Sequence, residues 1–305
     1  MPCMSVDIAH EYFTWELVQE VATERGYFEE EGIEPDISYF APGTQDFSDQ
    51  GENAYETDWW DELDEQGETH GVCEWNAIQE ASETDRTIVG SYSEWDRVLF
   101  VAADAPYESV EDLKGKSIGI NTYATSFYSI PEMLEFEGFE EDEIILEHVG
   151  SAEERFEAVK RGDVAAIGVL EPYVTLGRYD DELRAVYDGP CRAAVVAPSD
   201  IDPNDIGAFR RALNRAVEDI NADLDGYRDR YIDLLEEAAA RDPDAFEDVD
   251  FNGLRERFEL RRFLPVREPD RERIERTTEW MVDSGFVDDP DDVETLKEEH
   301  PPTSD

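Results

Sequence analysis

Apolar and polar positions alternate through "SVDIA" (residues 5–9), which predicts a short strand ahead of a polar turn at His10, Glu11 and Tyr12. Leu17, Val18, Val21 and Ala22 then recur at helical spacing, and Gly26 suits the end of that helix. Tyr27 and Phe28 are expected to fold back onto the helix end, and Gly32 to turn the chain into the strand "PDISYF". This stretch reads as scaffold that locks the first helix to the second strand.

Residues 42–69 are polar and acidic, but Phe47, Tyr55 and the pair Trp59-Trp60 predict an amphipathic helix near 53–66. "GVCEWNAI" reads as a strand running into a loop, and "TIVGSY" as a strand. "RVLFVAA" is almost continuously apolar, as befits a strand covered on both faces. Between 115 and 172 the pattern alternates. "SIGIN" is a strand, a helix starts near Ala124, and "EIILEHVG" is a strand. "SAEERFEAVKRGD" is a helix capped by Ser151, and "VAAIGVLEP" is another strand. Strand and helix in alternation argue for an α/β fold with a parallel sheet. After "CRAAVVAPS" the strands stop, 204–240 and 267–284 read as helices, and the segment from 288 onward reads as a frayed tail.

Composition changes this picture in its surface, not its core. Of 305 residues, 79 are acidic and 26 basic, for a net charge of -53, while 40% are hydrophobic and 11% aromatic. That apolar content suffices for packed cores. The acids are spread over every segment and lysine is scarce, a composition that resembles proteins of extremely halophilic archaea. Molar salt shortens electrostatic reach to about 3 Å and relieves the self-repulsion. With no basic stripe to neutralise phosphates, nucleic-acid binding is excluded.

Cys3, Cys73 and Cys191 are too few and too far apart for a disulfide framework or a zinc knuckle. His70 and Cys73 stand three apart, a weak metal signal, and no metal or other cofactor is assigned. "MPCMSVDIAHEY" has neither a basic n-region nor an apolar h-region, so a cytoplasmic location is expected, or a cell-surface one if a leader precedes it. No apolar run approaches the roughly 18 residues of a membrane span.

Three segments occur in order: "RGYFEEEGIEPDI", "EDLKGKSIGI" and "AVKRGDVAAIGVLEPYV". Together they resemble the substrate-binding proteins of ABC importers for taurine, alkanesulfonates, nitrate and thiamine-precursor pyrimidines. They are also similar to the pyrimidine-precursor synthases of thiamine biosynthesis, and the likeness spans roughly residues 5–200. The resemblance implies a type II periplasmic-binding-protein fold, with a ligand cleft between two α/β lobes. By this analogy residues 1–100 and 190–305 form one lobe and 101–189 the other.

In open α/β sheets, ligands collect at the carboxyl ends of strands. Four such places supply the candidate ligand-binding residues: His10, Glu11 and Tyr12; Glu74, Trp75 and Asn76; Asn121, Tyr123, Thr125 and Ser126; Glu171 and Tyr173. In "INTYATSFY", Thr122, Thr125 or Ser126 either caps a helix whose amides face an oxygen of the ligand, or is an ordinary cap. In "LEPYV", Pro172 breaks the strand, and Glu171 either accepts bonds from a ligand amine or is a solvated acid. Trp75 is either an aromatic plate for a flat heterocycle or plain core, and Tyr12 either lines the cleft or staples the first helix.

The resemblance implies a solute-binding component, with a small-molecule ligand and an ABC permease as partners. Three acids among aromatics favour an amino-substituted heterocycle such as a thiamine-precursor pyrimidine. The alternative is a cytoplasmic enzyme on the same scaffold, a lyase or synthase acting on a small aromatic or heterocycle. The synthases' cysteine-rich iron motif is absent, and no lysine precedes Lys114 to serve pyridoxal phosphate in the first lobe. No catalytic residue is therefore assigned. A ligand sensor is the third possibility.

Overall fold

The fold is seen in a computed structural model that describes residues 4–10, 16–39, 69–91, 95–171, 173–241, 249–290, 293 and 295. The helix expected near 53–66 lies outside the described residues, as does most of the segment from 288 onward.

Strand β1 (Met4–His10) leads to helix α1 (Glu16–Glu24), whose Leu17, Val18, Val21 and Ala22 are buried as their spacing requires. Gly26 takes a left-handed φ of 72°, and Tyr27 and Phe28 join the core that holds Leu17, Val18, Val21 and Ala22 of α1. This pair opens a short helix of its own, α2 (Tyr27–Glu30), before Gly32 (φ 80°) turns into β2 (Ile33–Tyr39). Next come β3 (Thr69–Cys73), α3 (Glu74–Glu83), β4 (Arg86–Ser91) and β5 (Trp95–Ala102). Residues 74–78, expected as a loop, are thus the start of a buried helix. Its polar residues Glu74, Asn76, Gln79 and Glu80 are buried along with the apolar ones, so the pattern of letters does not show a solvent face.

Then follow β6 (Lys116–Ile120), α4 (Ser126–Phe136), β7 (Ile144–His148), α5 (Ala152–Arg161), β8 (Ala166–Leu170) and α6 (Tyr173–Arg178). Ser151 caps α5 as expected: its hydroxyl accepts from Glu154 N–H at 3.2 Å, and the Glu154 carboxylate answers its own N–H at 2.9 Å. Strand β9 (Leu183–Cys191), not foreseen, precedes β10 (Ala193–Pro198). The single helical stretch read over 204–240 is two helices, α7 (Pro203–Ala222) and α8 (Leu224–Arg241). They are followed by α9 (Phe251–Arg257) and α10 (Arg271–Asp283).

The strands form two sheets of five, in the orders β2-β1-β3-β10-β4 and β7-β6-β8-β5-β9. In the first, β10 alone runs against its neighbours; in the second, β5 does. Each sheet has its own packed core, giving two lobes. β5 is covered on both faces: Val98 and Phe100 point to the core beneath α5, Leu99 and Val101 to the one beneath α4.

Phe28 stacks on Phe209 of α7 at 5.7 Å, and the Arg215 guanidinium lies 3.9 Å above the Tyr27 ring. The aromatic pair therefore fastens α2 to a helix far along the chain. Phe209 is 1% exposed, so Phe209→Ala empties the centre of this contact. It should lower unfolding free energy by about 3–5 kcal/mol in denaturant titrations in molar potassium chloride. A loss below about 1 kcal/mol would mean that α2 does not depend on this contact.

Candidate functional site

β1, β2, β3 and β4 all point the same way, so their carboxyl ends share one edge with the start of β10. In the second sheet β6, β7, β8 and β9 end at one edge with the start of β5. The chain crosses between sheets at 91–95 and 191–193, so these two edges face each other. A cleft lined by strand ends and helix starts follows from the topology.

From the first lobe come Glu74, Trp75 and Asn76, in the first turn of α3 and all buried. The Glu74 carboxylate meets Arg192 Nε at 3.1 Å and Arg273 Nε at 2.6 Å, and accepts from the Thr277 hydroxyl at 2.9 Å. A ligand amine at Glu74 would have to displace two guanidiniums. Trp75 has no exposed surface, and two guanidiniums lie over its ring, Arg97 at 5.7 Å and Arg192 at 5.1 Å. Asn76 accepts from the Thr125 hydroxyl at 3.0 Å, which ties the lobes together.

The second lobe supplies the turn from Asn121 to Ser126. Asn121 Oδ1 accepts from Tyr123 N–H at 2.9 Å, and the Ser126 hydroxyl donates to Asn121 O at 2.8 Å. Thr122 N–H donates to His148 Nδ1 at 3.2 Å, and Tyr123 meets the His148 ring edge-on at 5.5 Å. No side chain caps α4: Thr125 reaches across to Asn76 instead, and Thr122 turns to His148. Phe127 N–H donates to Ala124 O at 2.9 Å, and Tyr128 and Ser129 N–H donate to Thr125 O at 3.1 and 2.9 Å, so the helix start offers the cleft its dipole and its hydroxyls, not a row of unpaired amides.

Glu171 is a helix cap. One of its oxygens accepts from Thr175 N–H at 3.0 Å and from the Thr175 hydroxyl at 2.9 Å. Burial pushes its carboxyl above the usual range, the Thr175 bonds working against that. Tyr173 packs against Phe156 at 6.4 Å. Tyr231 of α8 is fully buried; burial, then the charges of Glu171 and Glu16, push its hydroxyl well above its ordinary value.

His10 ends β1 opposite Tyr39, while Glu11 and Tyr12 lie outside the described residues. His70 Nε2 lies 2.7 Å from Glu80, which also meets Arg86 at 3.3 Å. Three apart on a strand, His70 and Cys73 point to opposite faces, which removes them as a base–nucleophile pair. Among the described residues no group of three or more His, Cys, Asp or Glu side chains could hold a metal, and no helix is long and apolar enough to cross a membrane.

The reading of the sequence missed Arg97, Glu132, Arg192, Arg273 and Thr277. Glu132, on α4, meets Arg192 at 3.1 Å, and Arg97 donates to Ser129 O of the same helix. One signal was available: an arginine inside "RVLFVAA" and another just before "AAVVAP" stand in apolar runs, where a charge must be paired.

Residues 85–243 match the family model for the periplasmic substrate-binding protein of phosphonate ABC transporters. No curated protein matches the chain in sequence. Among solved structures, the alkanesulfonate-binding protein SsuA from Xanthomonas axonopodis pv. citri, bound to MOPS, superposes with a TM-score of 0.65 at 14% identity, covering 96% of this chain and 98% of that one. The periplasmic aliphatic sulphonate binding protein SsuA from Escherichia coli gives 0.66 at 15% identity, covering 99% and 98%. PhnD1 from Prochlorococcus marinus, in complex with methylphosphonate, gives 0.53 at 11% identity, covering 94% and 100%. The fold is the two-lobed periplasmic-binding-protein fold. The expected cytoplasmic location is overturned by the family match, because members of that family are periplasmic.

Burial raises the Glu132 carboxyl above its ordinary value of 4.5, against the pull of Arg192 and Arg97. The folded state therefore holds this proton more tightly than the unfolded chain. Glu132 costs stability as pH rises from about 4.5 through its raised value. Relative to Glu132→Gln, the wild type should lose stability across that window in denaturation midpoints taken from pH 4 to 8. A relative gain would mean that the Arg192 pair outweighs burial.

Proposed function

The chain belongs to the family of periplasmic substrate-binding proteins of phosphonate ABC transporters, and on that premise we propose that it captures a small organic solute bearing a sulfonate or phosphonate group for an ABC importer. The permease of that importer is its partner. The observation that carries this reading is the turn from Asn121 to Ser126. There a helix start without a side-chain cap opens onto the cleft, opposite Asn76 of the other lobe. A tetrahedral oxyanion suits such a place, because the dipole at a helix start favours negative charge and the Thr125 hydroxyl can turn to it from Asn76. The two crossovers act as the hinge for closure around the ligand. In this reading the lobes divide at those crossovers, so residues 95–100 and 190–191, read from the sequence as first-lobe, go with the second sheet.

An amino-substituted heterocycle, such as a thiamine-precursor pyrimidine, is the second reading. It is supported by the position of Glu171 and Tyr173 at the same edge. It is weakened by Glu74, whose carboxylate is held by two arginines.

Thermal shifts in molar potassium chloride distinguish the two, using alkanesulfonates, alkylphosphonates and aminopyrimidines. A ligand at a hundred times its Kd should add about 2.7 kcal/mol of stability. The expected result is a shift with a sulfonate or phosphonate that Thr125→Val weakens about tenfold, near 1.4 kcal/mol. A shift with an aminopyrimidine alone would overturn the oxyanion reading in favour of the second.

A further inference from the structure

Arg155, in the first turns of α5, takes no part in the cleft chemistry described above. Its side chain points back toward the start of the helix, as long side chains on helices do. Nε donates to Ser151 O at 3.2 Å, and Nη1 donates to Gly168 O on β8, two residues before that strand ends. The half-buried guanidinium is thereby held near the carboxyl edge of the second sheet, the edge that faces the cleft.

These are unusual partners for a cation in so acidic a protein. Elsewhere in the same lobe Arg178 meets Asp96 at 3.0 Å, Arg184 meets Glu108 at 2.8 Å and Arg161 meets Asp163 at 2.8 Å. Arg155 has two carbonyl oxygens instead, and among the described residues no carboxylate lies within ion-pair distance of it. Its neighbour Glu154 accepts from Ser151 N–H at 2.9 Å. Burial pulls the guanidinium down to about 10, against the pull of Tyr173, Glu153 and Glu154, so it keeps its charge at neutral pH. A cation withdrawn from water without a counter-charge is costly, and an arriving anion offsets that cost. Among the described residues Nη2 has no hydrogen-bond partner, so one edge of the fork is open to that anion.

The topology brings this cation to the oxyanion place. α5 leads from β7 to β8 and so crosses β6, which lies between them. It packs on the face of Val98 and Phe100, whereas α4 packs on the face of Leu99 and Val101. Arg155 and the turn from Asn121 to Ser126 thus flank the end of β6, one from each face of the sheet.

Resting on the reading of the solute given above, we propose that Arg155 is the counter-charge for the solute's anionic head, and that it selects phosphonates over sulfonates. Its Nη2 edge binds one oxygen of the head while the start of α4 faces another. A guanidinium already fixed by two carbonyls loses little freedom on binding. A fixed cation also gains more from a dianion than from a monoanion.

The test is calorimetric titration with methanesulfonate and methylphosphonate, in molar potassium chloride at a mildly alkaline pH where methylphosphonate carries two charges. It compares the wild type with Arg155→Gln, Arg155→Lys and Thr125→Val, each checked for folding by circular dichroism. The wild type should prefer methylphosphonate. Arg155→Gln should weaken methanesulfonate about tenfold and methylphosphonate about a hundredfold, which erases the preference. Arg155→Lys keeps the charge and loses the fork, so it should bind both more weakly and keep the preference. A side chain that only clamps α5 to β8 would lower both affinities by one factor in both variants, and that result overturns the proposal. Should Arg155→Gln fail to fold, a lost preference in Arg155→Lys overturns it. If Thr125→Val weakens binding and Arg155→Gln does not, this proposal falls and the solute reading stands. If the wild type binds neither probe, both fall.

Discussion

A carboxylate with no exposure to solvent must find positive charge inside the protein, and Glu74 holds two distant segments in place by that demand. Arg192 comes from the crossover between lobes, while Arg273 and Thr277 come from the last long helix. Arg192 extends the network to Glu132 of the second lobe. Removing one partner from such a cluster leaves a buried charge that costs about 3–5 kcal/mol. The relative placement of the lobes and of α10 is therefore coupled to one side chain at the start of α3. The same coupling explains why that acid is unavailable to a ligand although it stands at the cleft edge.

The rest of the charge behaves differently. Arg230 with Glu24, Arg211 with Glu31 and Arg215 with Glu30 join α1 and α2 to α7 and α8 along the surface. Exposed pairs of this kind are worth roughly 0–1 kcal/mol each, and salt weakens them further. The packing beneath them, led by Phe28 on Phe209, does the holding. Against a net charge of -53, an anionic solute meets repulsion at long range unless salt screens it. A helix dipole acts within the first turn, so it retains its pull where the mean field is unfavourable.

Much of the fold was legible because its signals are local. The capping pair Ser151 and Glu154, the turn glycines, and the apolar run at 97–103 each act within a few residues, and each does in the structure what its pattern implied. Other features escaped, β9 and the start of α3 among them. Strand β9 mixes exposed and half-buried positions at the sheet's edge, so its periodicity is faint. The start of α3 buries Glu74 and Asn76 as well as Trp75, so its polar letters do not trace a solvent face.

The sequence by itself determined the elements, their α/β alternation and the strand ends where a ligand collects, because periodicity, capping and turn chemistry depend on neighbours along the chain. The tertiary structure alone decided what the individual acids do. Glu74 became the partner of two arginines, Glu171 a cap for Thr175, and Glu132 a carboxyl held above its ordinary range. Those roles depend on burial and on partners more than a hundred residues away in the case of Glu74 and Arg273. One glutamate among 79 acidic residues carries no local mark of which of them will be buried.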